Sequence, residues 1–386
     1  MKIDNYNIID FGLSKIRFSV FDKNLVEKFS ETKDVKINEN YDNHFHSIIE
    51  IIKKAEKKIS SHIKDVILIT DTSKLFTIDI SLNKYLEKKI TIKKAYHSMV
   101  LELEQLISNN YNEYHIVHII LDKCLINDNT FAKLPKNIYV LGNIKLDFKV
   151  ICFPKKLILN LKNKFIQNNL NVLNIYCTSY VKSLLYNSQI ENKKVTFLEI
   201  GWERSSLVYY EKDKLKFINS IAIGGFHITK DISKIFNISI EDAEKIKKSF
   251  NKSETEFSYE TNNKSDVATA KDILKKKISI NLLKKVILYR VQEIIDLSFK
   301  QLNKQVYKYS FKNSELFLIG DGSILFNDNS FYLDNGFDFK SINFFQENDT
   351  QICKSGLIHY FNNYQTPEIR AKKQGLFEKF FNFFAN

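Results

Sequence analysis

Glycine turns at strand ends recur in this chain, and their spacing points to phosphate chemistry. Asn7-Ile-Ile-Asp10 runs into Phe11-Gly12-Leu13-Ser14-Lys15. Val195–Ile200, which carries Glu199, runs into Gly201-Trp202-Glu203-Arg204-Ser205-Ser206. Leu316–Ile319 runs into Gly320-Asp321-Gly322-Ser323. Gly224-Gly225 opens a helical pattern, and Glu244 and Lys247 follow on the next helix. A glycine turn between strands, then a glycine pair feeding a helix, aims backbone N–H groups at phosphate. One glycine hairpin is far more often only a turn; order and spacing together carry the reading.

The elements around these turns follow from local pattern. Val195–Ile200, Leu207–Tyr210 and Leu215–Ile223 read as strands, and His227–Phe236 as a helix. Ser239 with Asp242 three residues on caps the next helix. Residues 1–30 read as a meander around Asp10 and Gly12. His44–Ile59 has helical apolar spacing, with Lys53, Lys54, Lys57 and Lys58 on a solvated face. Asp65–Thr70 reads as a buried strand.

The pattern changes over about 80–153. A helix at Thr91–Ser108 is followed by short strands at 114–121, 124–127, 137–142 and 146–153. After this α+β block come a helix at 154–169, a strand at 172–176 and a helix from Cys177 to Tyr186. Residues 251–267 read as a polar loop. A long helical region covers 270–304, with a candidate break near Ser279. Turn and strand segments fill 320–346, and a last short helix covers 352–361.

Composition sets the class. The chain has 386 residues, 44% hydrophobic, with ten glycines and three prolines, so it is globular and long enough for two lobes. The net charge of +13 comes with a composition rich in Ile, Asn, Lys, Phe and Tyr, so it does not argue for nucleic acid. Scattered Cys124, Cys152, Cys177 and Cys353 read as reduced cytosolic thiols. His115 and His118 lack a second pair for zinc. No apolar run reaches the roughly 20 residues that span a bilayer, and the start has no apolar signal region.

The tail is distinct. Beyond a polar linker, Leu376, Phe377, Phe380, Phe381, Phe383 and Phe384 share one side of a helix at about 100° per residue. Glu378, Lys379 and Asn382 share the other, with Arg370, Lys372 and Lys373 just before. This is the pattern of an interfacial amphipathic helix on an anionic membrane; docking on the chain's own core is the competing reading.

Acidic strand ends with glycine turns and a late Gly-x-Gly-Ser resemble the actin, sugar-kinase and DnaK-type ATPases. Ile223-Gly-Gly-Phe-His-Ile-Thr-Lys-Asp-Ile232, then Glu241-Asp-Ala-Glu-Lys-Ile-Lys247, and Ser355-Gly-Leu-Ile-His-Tyr360, resemble the FtsA family of bacterial cell-division proteins. The tail fits that likeness, which covers nearly the whole chain. It implies an α/β, actin-like (ribonuclease-H-like), two-lobed fold with an inserted 1C-type subdomain and a C-terminal amphipathic helix. The implied domains are lobe 1 at 1–79 and 154–194, the insert at 80–153, lobe 2 at 195–223 and 315–361, and subdomain 2B at 224–314. A linker at 362–374 and the helix at 375–386 complete them.

The resemblance implies ATP and Mg²⁺ between the lobes. Asp10 would orient the metal; Gly12, Leu13, Ser14, Lys15, Gly201, Arg204, Gly224 and Gly225 would hold phosphates. Glu244 and Lys247 would grip the ribose, unless they form only a surface ion pair, and Gly320, Gly322 and Ser323 would border adenine. The second turn departs from the family pattern: Trp202 and Glu203 stand where glycines are expected, Ser206 where an acid is, and Asp321 replaces another glycine. At most weak ATPase activity is expected. The implied role is an adaptor on the cytoplasmic face of the inner membrane at the division site. It would bind the FtsZ C-terminal peptide, itself in filaments, and later division proteins, but no nucleic acid. A pilus-type (PilM-like) adaptor and an ATPase or kinase of the same fold are the alternatives.

Overall fold

A computed structural model describes residues 5–35, 41–191, 193–249, 279–305, 314–326, 339–344 and 348–364. The chain opens with an antiparallel meander, β1 (Asn5–Phe11), β2 (Lys15–Asp22) and β3 (Glu27–Asp34). β4 (Asp65–Thr70) then pairs with β1 in parallel, and β9 (Asn171–Cys177) with β4, giving the order β3-β2-β1-β4-β9. The same plan returns later. β10 (Lys194–Ile200), β11 (Ser205–Glu211) and β12 (Lys214–Ile221) form the second meander. β13 (Glu315–Ile319) and β14 (Ser341–Phe344) add in parallel, giving β12-β11-β10-β13-β14. Two sheets of one strand order are the duplication that the repeated glycine hairpins hinted at, and the fold is actin-like.

The central strands are apolar throughout because both sheet faces are covered. In β10, Val195 and Phe197 face one core while Leu198 and Ile200 face another, the two-residue period of a strand. Helix α1 (Tyr41–Ile59) lays Phe45, Ile48, Ile51, Ile52 and Ala55 on the first sheet and leaves Lys53, Lys54, Lys57 and Lys58 exposed. Helix α3 (Lys155–Gln167) adds Ile158, Leu161 and Phe165 to that core. Helix α4 (Thr178–Asn187) lies between the sheets: Tyr180, Val181 and Tyr186 pack in one cluster with Phe197 and Tyr210, and Lys182 and Ser183 are buried too. Helices α5 (Gly225–Phe236), α6 (Ile240–Ser249) and α7 (Ile280–Gln305) cover the far face of the second sheet through Ile228, Ala243, Ile287 and Ile294. The Ser239 hydroxyl accepts from the Asp242 N–H at 3.0 Å, the predicted cap. Ser279 does the same for Leu282 at 3.3 Å, so the predicted break is a helix start. Helix α8 (Asp349–Tyr364) returns to the first sheet, burying Ile352, Cys353, Leu357 and Tyr360.

A third sheet, order β5-β8-β6-β7, is antiparallel: β5 (Phe76–Thr91), β6 (Tyr114–Ile126), β7 (Asn129–Phe131) and β8 (Tyr139–Pro154). Helix α2 (Ile92–Asn110), capped by Thr91, buries Ala95, Met99, Leu103 and Ile107 against it. The short strands expected here are in fact long ones. β6 runs through its polar break because register shifts at Ile116/His118 and Leu121/Lys123 absorb the extra residues as bulges. β5 was missed altogether. It is an edge strand paired only with β8, and its exposed side chains are largely polar or charged, which hides the strand pattern. Asp122 joins this sheet to the second one through Lys216, at 3.4 Å, and Lys214.

The predicted loop at 251–267, the start of the 270–304 helix, and the tail helix with Leu376, Phe377, Phe380, Phe381, Phe383 and Phe384 lie outside the described residues.

Candidate nucleotide cleft

The hairpins β1–β2 and β10–β11 face one cleft of about 840 Å³. That volume suits a nucleotide. Asp10, Gly12, Leu13, Ser14 and Lys15 line it from the first sheet, and Gly201 and Arg204 from the second. Gly225, Glu244 and Lys247 line it from α5 and α6, and Gly320 and Gly322 from the turn after β13. Gly224 and Ser323 stand behind this lining. A Cβ on Gly224 would lie 2.5 Å from the Gly201 carbonyl oxygen, so the close approach of two turns requires glycine there. Ser323 is buried, its N–H donating to the Gly320 carbonyl at 2.9 Å.

Asp10 is the penultimate residue of β1, and the hairpin register sets Arg17 of β2 directly opposite. Directly opposed residues point to the same side of a sheet. Arg17 Nη1 therefore donates to Asp10 Oδ2 at 2.9 Å, while its Nε donates to Asp349 Oδ1 at 2.6 Å. Thr178 at the start of α4 donates to Asp10 Oδ1 at 3.3 Å. Burial pushes the Asp10 carboxyl above its usual range, and Arg17 pulls against that. Burial opposes the charge on Arg17, but Asp10 and Asp349 outweigh it and hold the guanidinium firmly protonated. Lys15 pairs with Asp321 at 2.9 Å.

The second cluster spans the lobes. Arg204, in the β10–β11 turn, donates to Asp71 at the end of β4, to Glu199 at 3.3 Å and to Ser206 Oγ at 2.5 Å. Lys182 of α4 donates to the other oxygen of Glu199 at 2.5 Å. Burial would raise Glu199, but Lys182 and Arg204 prevail and hold it below its usual range. Burial raises Asp71 against the pull of Arg204. Glu203 is exposed and lines the cleft.

The third cluster closes the α5 end. Lys247 Nζ donates to Glu244 at 2.6 Å, to Thr229 Oγ1 at 2.8 Å and to the Gly225 carbonyl at 3.0 Å. Thr229 also donates to Glu244. Burial lowers Lys247, opposed by Glu244. Both side chains are buried and line the cleft, so the pair is held inside the fold and is not the surface ion pair that was the alternative. Trp202 stacks on Phe226, centroids 4.7 Å apart, with Lys247 Nζ 5.0 Å from its ring. The first N–H groups of α5 are taken as well: Gly225 donates to the Gly201 carbonyl at 2.9 Å and Phe226 to that of Trp202 at 2.7 Å.

These pairings test the expected cofactor. Magnesium with a triphosphate calls for an available carboxylate and free donors at a helix N-terminus. Here the carboxylate expected to orient the metal, Asp10, faces a guanidinium, and the helix donors face the chain's own carbonyls. Among the described residues no three His, Cys, Asp or Glu side chains converge as a metal site. The cleft has room for a nucleotide, but its donor set does not fit magnesium–triphosphate.

Sequence reasoning found the turns but missed Arg17, Asp71, Thr178 and Lys182. Signals existed for three of them: Arg17 interrupts an apolar strand, Asp71 follows the buried run Val66–Thr70, and Lys182 lies in the apolar helix Tyr180–Tyr186.

Comparison with known proteins agrees with this fold. The family model of Cell division protein FtsA matches residues 196–357. FtsA of Staphylococcus epidermidis is 23% identical over 250 residues, covering 63% of this chain and 54% of the relative. FtsA of Helicobacter pylori is 25% identical over 142 residues, 35% of this chain and 27% of the relative. The chain thus spans about half the length of the first curated relatives it matches. The PilM-PilN type IV pilus biogenesis complex superposes with a TM-score of 0.56 at 14% identity, covering 91% of this chain and 90% of that one. This chain is therefore similar in sequence to the cell-division protein FtsA family, over residues 196–357 by the family model, and its fold is actin-like.

Proposed function

We propose that this chain is a membrane-associated adaptor of the division ring that tethers FtsZ filaments to the cytoplasmic membrane and recruits later division proteins. The observation that carries the reading is the FtsA family match over 196–357, the stretch holding the second sheet and α5–α8. In this reading residues 224–314 form the subdomain that takes the FtsZ C-terminal peptide, 80–153 the 1C-type insert, and 375–386 the lipid-binding helix. The alternation of phenylalanine and polar residues in that tail supports peripheral attachment. No helix among the described residues is long and apolar enough to cross a membrane. Tethering requires no bond to be made or broken, and a cleft whose buried charges are already paired suits a scaffold better than a hydrolase.

Liposome co-sedimentation tests this. The full chain should bring FtsZ down with anionic vesicles, and a chain lacking 372–386 should leave FtsZ in the supernatant. Equal recruitment by both would refute the tether. A second reading, a PilM-type pilus adaptor, is favoured by the superposition over 91% of the chain. Retention of a pilus-protein peptide in preference to the FtsZ C-terminal peptide would select it.

A further inference from the structure

We propose that Arg17 takes the place of a divalent cation in this cleft, so that the chain joins its lobes through its own ion pairs and engages nucleotide without magnesium. Arg17 gathers carboxylates from three elements. Asp10 on β1 is 2.9 Å away, Asp349 on α8 2.6 Å, and Asp321, after β13 in the second lobe, 3.7 Å. A fixed positive fork among three acids does electrostatically what a metal there would do.

The arrangement is built in. β2 is hydrogen-bonded on both sides, to β1 and to β3, and Asp10↔Arg17 is a register pair. The register holds Arg17 beside Asp10, and moving the guanidinium away would cost a buried ion pair. A magnesium ion would need the same Asp10 oxygens and room for its waters. The phosphate side is closed in the same manner. Arg204 already bridges Asp71 and Glu199, and Lys182 completes Glu199, so the lobes are joined through pairs between Asp71 and Arg204 and between Lys182 and Glu199. What stays open to a ligand is the volume beyond these clusters, rimmed by Lys230 and Lys248.

Trp202 is the chain's one tryptophan and lines the cleft, so its emission reports a ligand entering. The full chain is titrated with ATP in magnesium and again in EDTA. The expected result is a response in both, with curves that agree within about twofold, and no response in either would overturn the proposal. Tightening by magnesium of about tenfold or more, or magnesium-dependent ATP turnover, would overturn the proposal. This comparison uses no variant and decides alone. In Arg17→Gln, checked for folding by circular dichroism, Asp10 loses its guanidinium. Magnesium should then tighten ATP by about tenfold, and adding Asp10→Asn should abolish that gain. A folded R17Q protein that binds ATP with no magnesium dependence would refute the role given to Arg17. The proposal does not rest on the tethering role, which the vesicle experiment tests separately.

Discussion

Replacing Arg204 by methionine is the sharpest probe of how the two halves of this protein hold together. Arg204 belongs to the second sheet and Asp71 to the first, so their contact crosses the cleft. Arg204 has 16% of its side chain exposed and Asp71 2%, which places the pair mostly out of water. Removing one member of a buried pair costs about 3–5 kcal/mol, because the other charge is left uncompensated. The structure argues for the lower end. Asp71 would keep the Ser179 N–H at 2.8 Å, the Ser179 hydroxyl at 3.2 Å and the Cys177 thiol at 3.0 Å. Glu199 would keep Lys182 at 2.5 Å. We therefore expect R204M to lose about 3 kcal/mol in urea unfolding followed by far-UV circular dichroism. The decisive measurement is the cycle with Asp71→Asn. The single losses should exceed the loss of the double variant by about 1–2 kcal/mol, since both remove the same contact. A coupling below about 0.5 kcal/mol would mean that the two side chains act independently, and the clasp across the cleft would fall.

Two further outcomes are expected. His118 Nε2 accepts the Cys177 N–H at 2.9 Å, which puts its proton on Nδ1, aimed at His359 Nε2 at 3.1 Å. Burial lowers His359 to about 4, so in the window from its ordinary value of 6.5 down to about 4 the unfolded chain binds the extra proton. Stability is then intact above that window and falls by about 3 kcal/mol as pH drops through it; an unfolding midpoint whose slope there is unchanged by His359→Phe would refute this. Gly356→Ala would put a methyl 2.7 Å from Ile69 Cγ2 on β4, a branched core atom with little room to yield. It should cost about 1–3 kcal/mol by thermal or urea unfolding, and a neutral result would show that α8 can lift off the sheet.

The fold was legible where signals are local. Apolar runs marked the central strands, helical spacing marked α1, and the repeated glycine hairpins marked the two sheets. The third sheet was read too finely, because bulges and a polar edge strand break the alternation that reveals strands. The cleft was legible only in outline. Gly224 and Gly225 were recognised, but the N–H groups of Gly225 and Phe226 turn to the chain's own Gly201 and Trp202 carbonyls. Arg204 was singled out, yet its main partner lies 133 positions away, a distance no spacing rule covers. Asp10 was found without Arg17, although pairing the hairpin about its turn would have set them opposite. The i,i+3 relation of Glu244 and Lys247 was right, but its burial under Thr229 depends on how α5 and α6 pack.

Helix α4 has one last consequence. Tyr180, Val181 and Tyr186 are enclosed by neighbours from both halves of the protein, and Lys182 is anchored to Glu199. Pulling the halves straight apart would wet this helix along its length and strand a lysine in the gap. Twisting them around it would keep those side chains dry. Whatever motion this protein makes should therefore resemble a wheel turning on its axle more than a jaw swinging wide, and residues far from α4 should travel most.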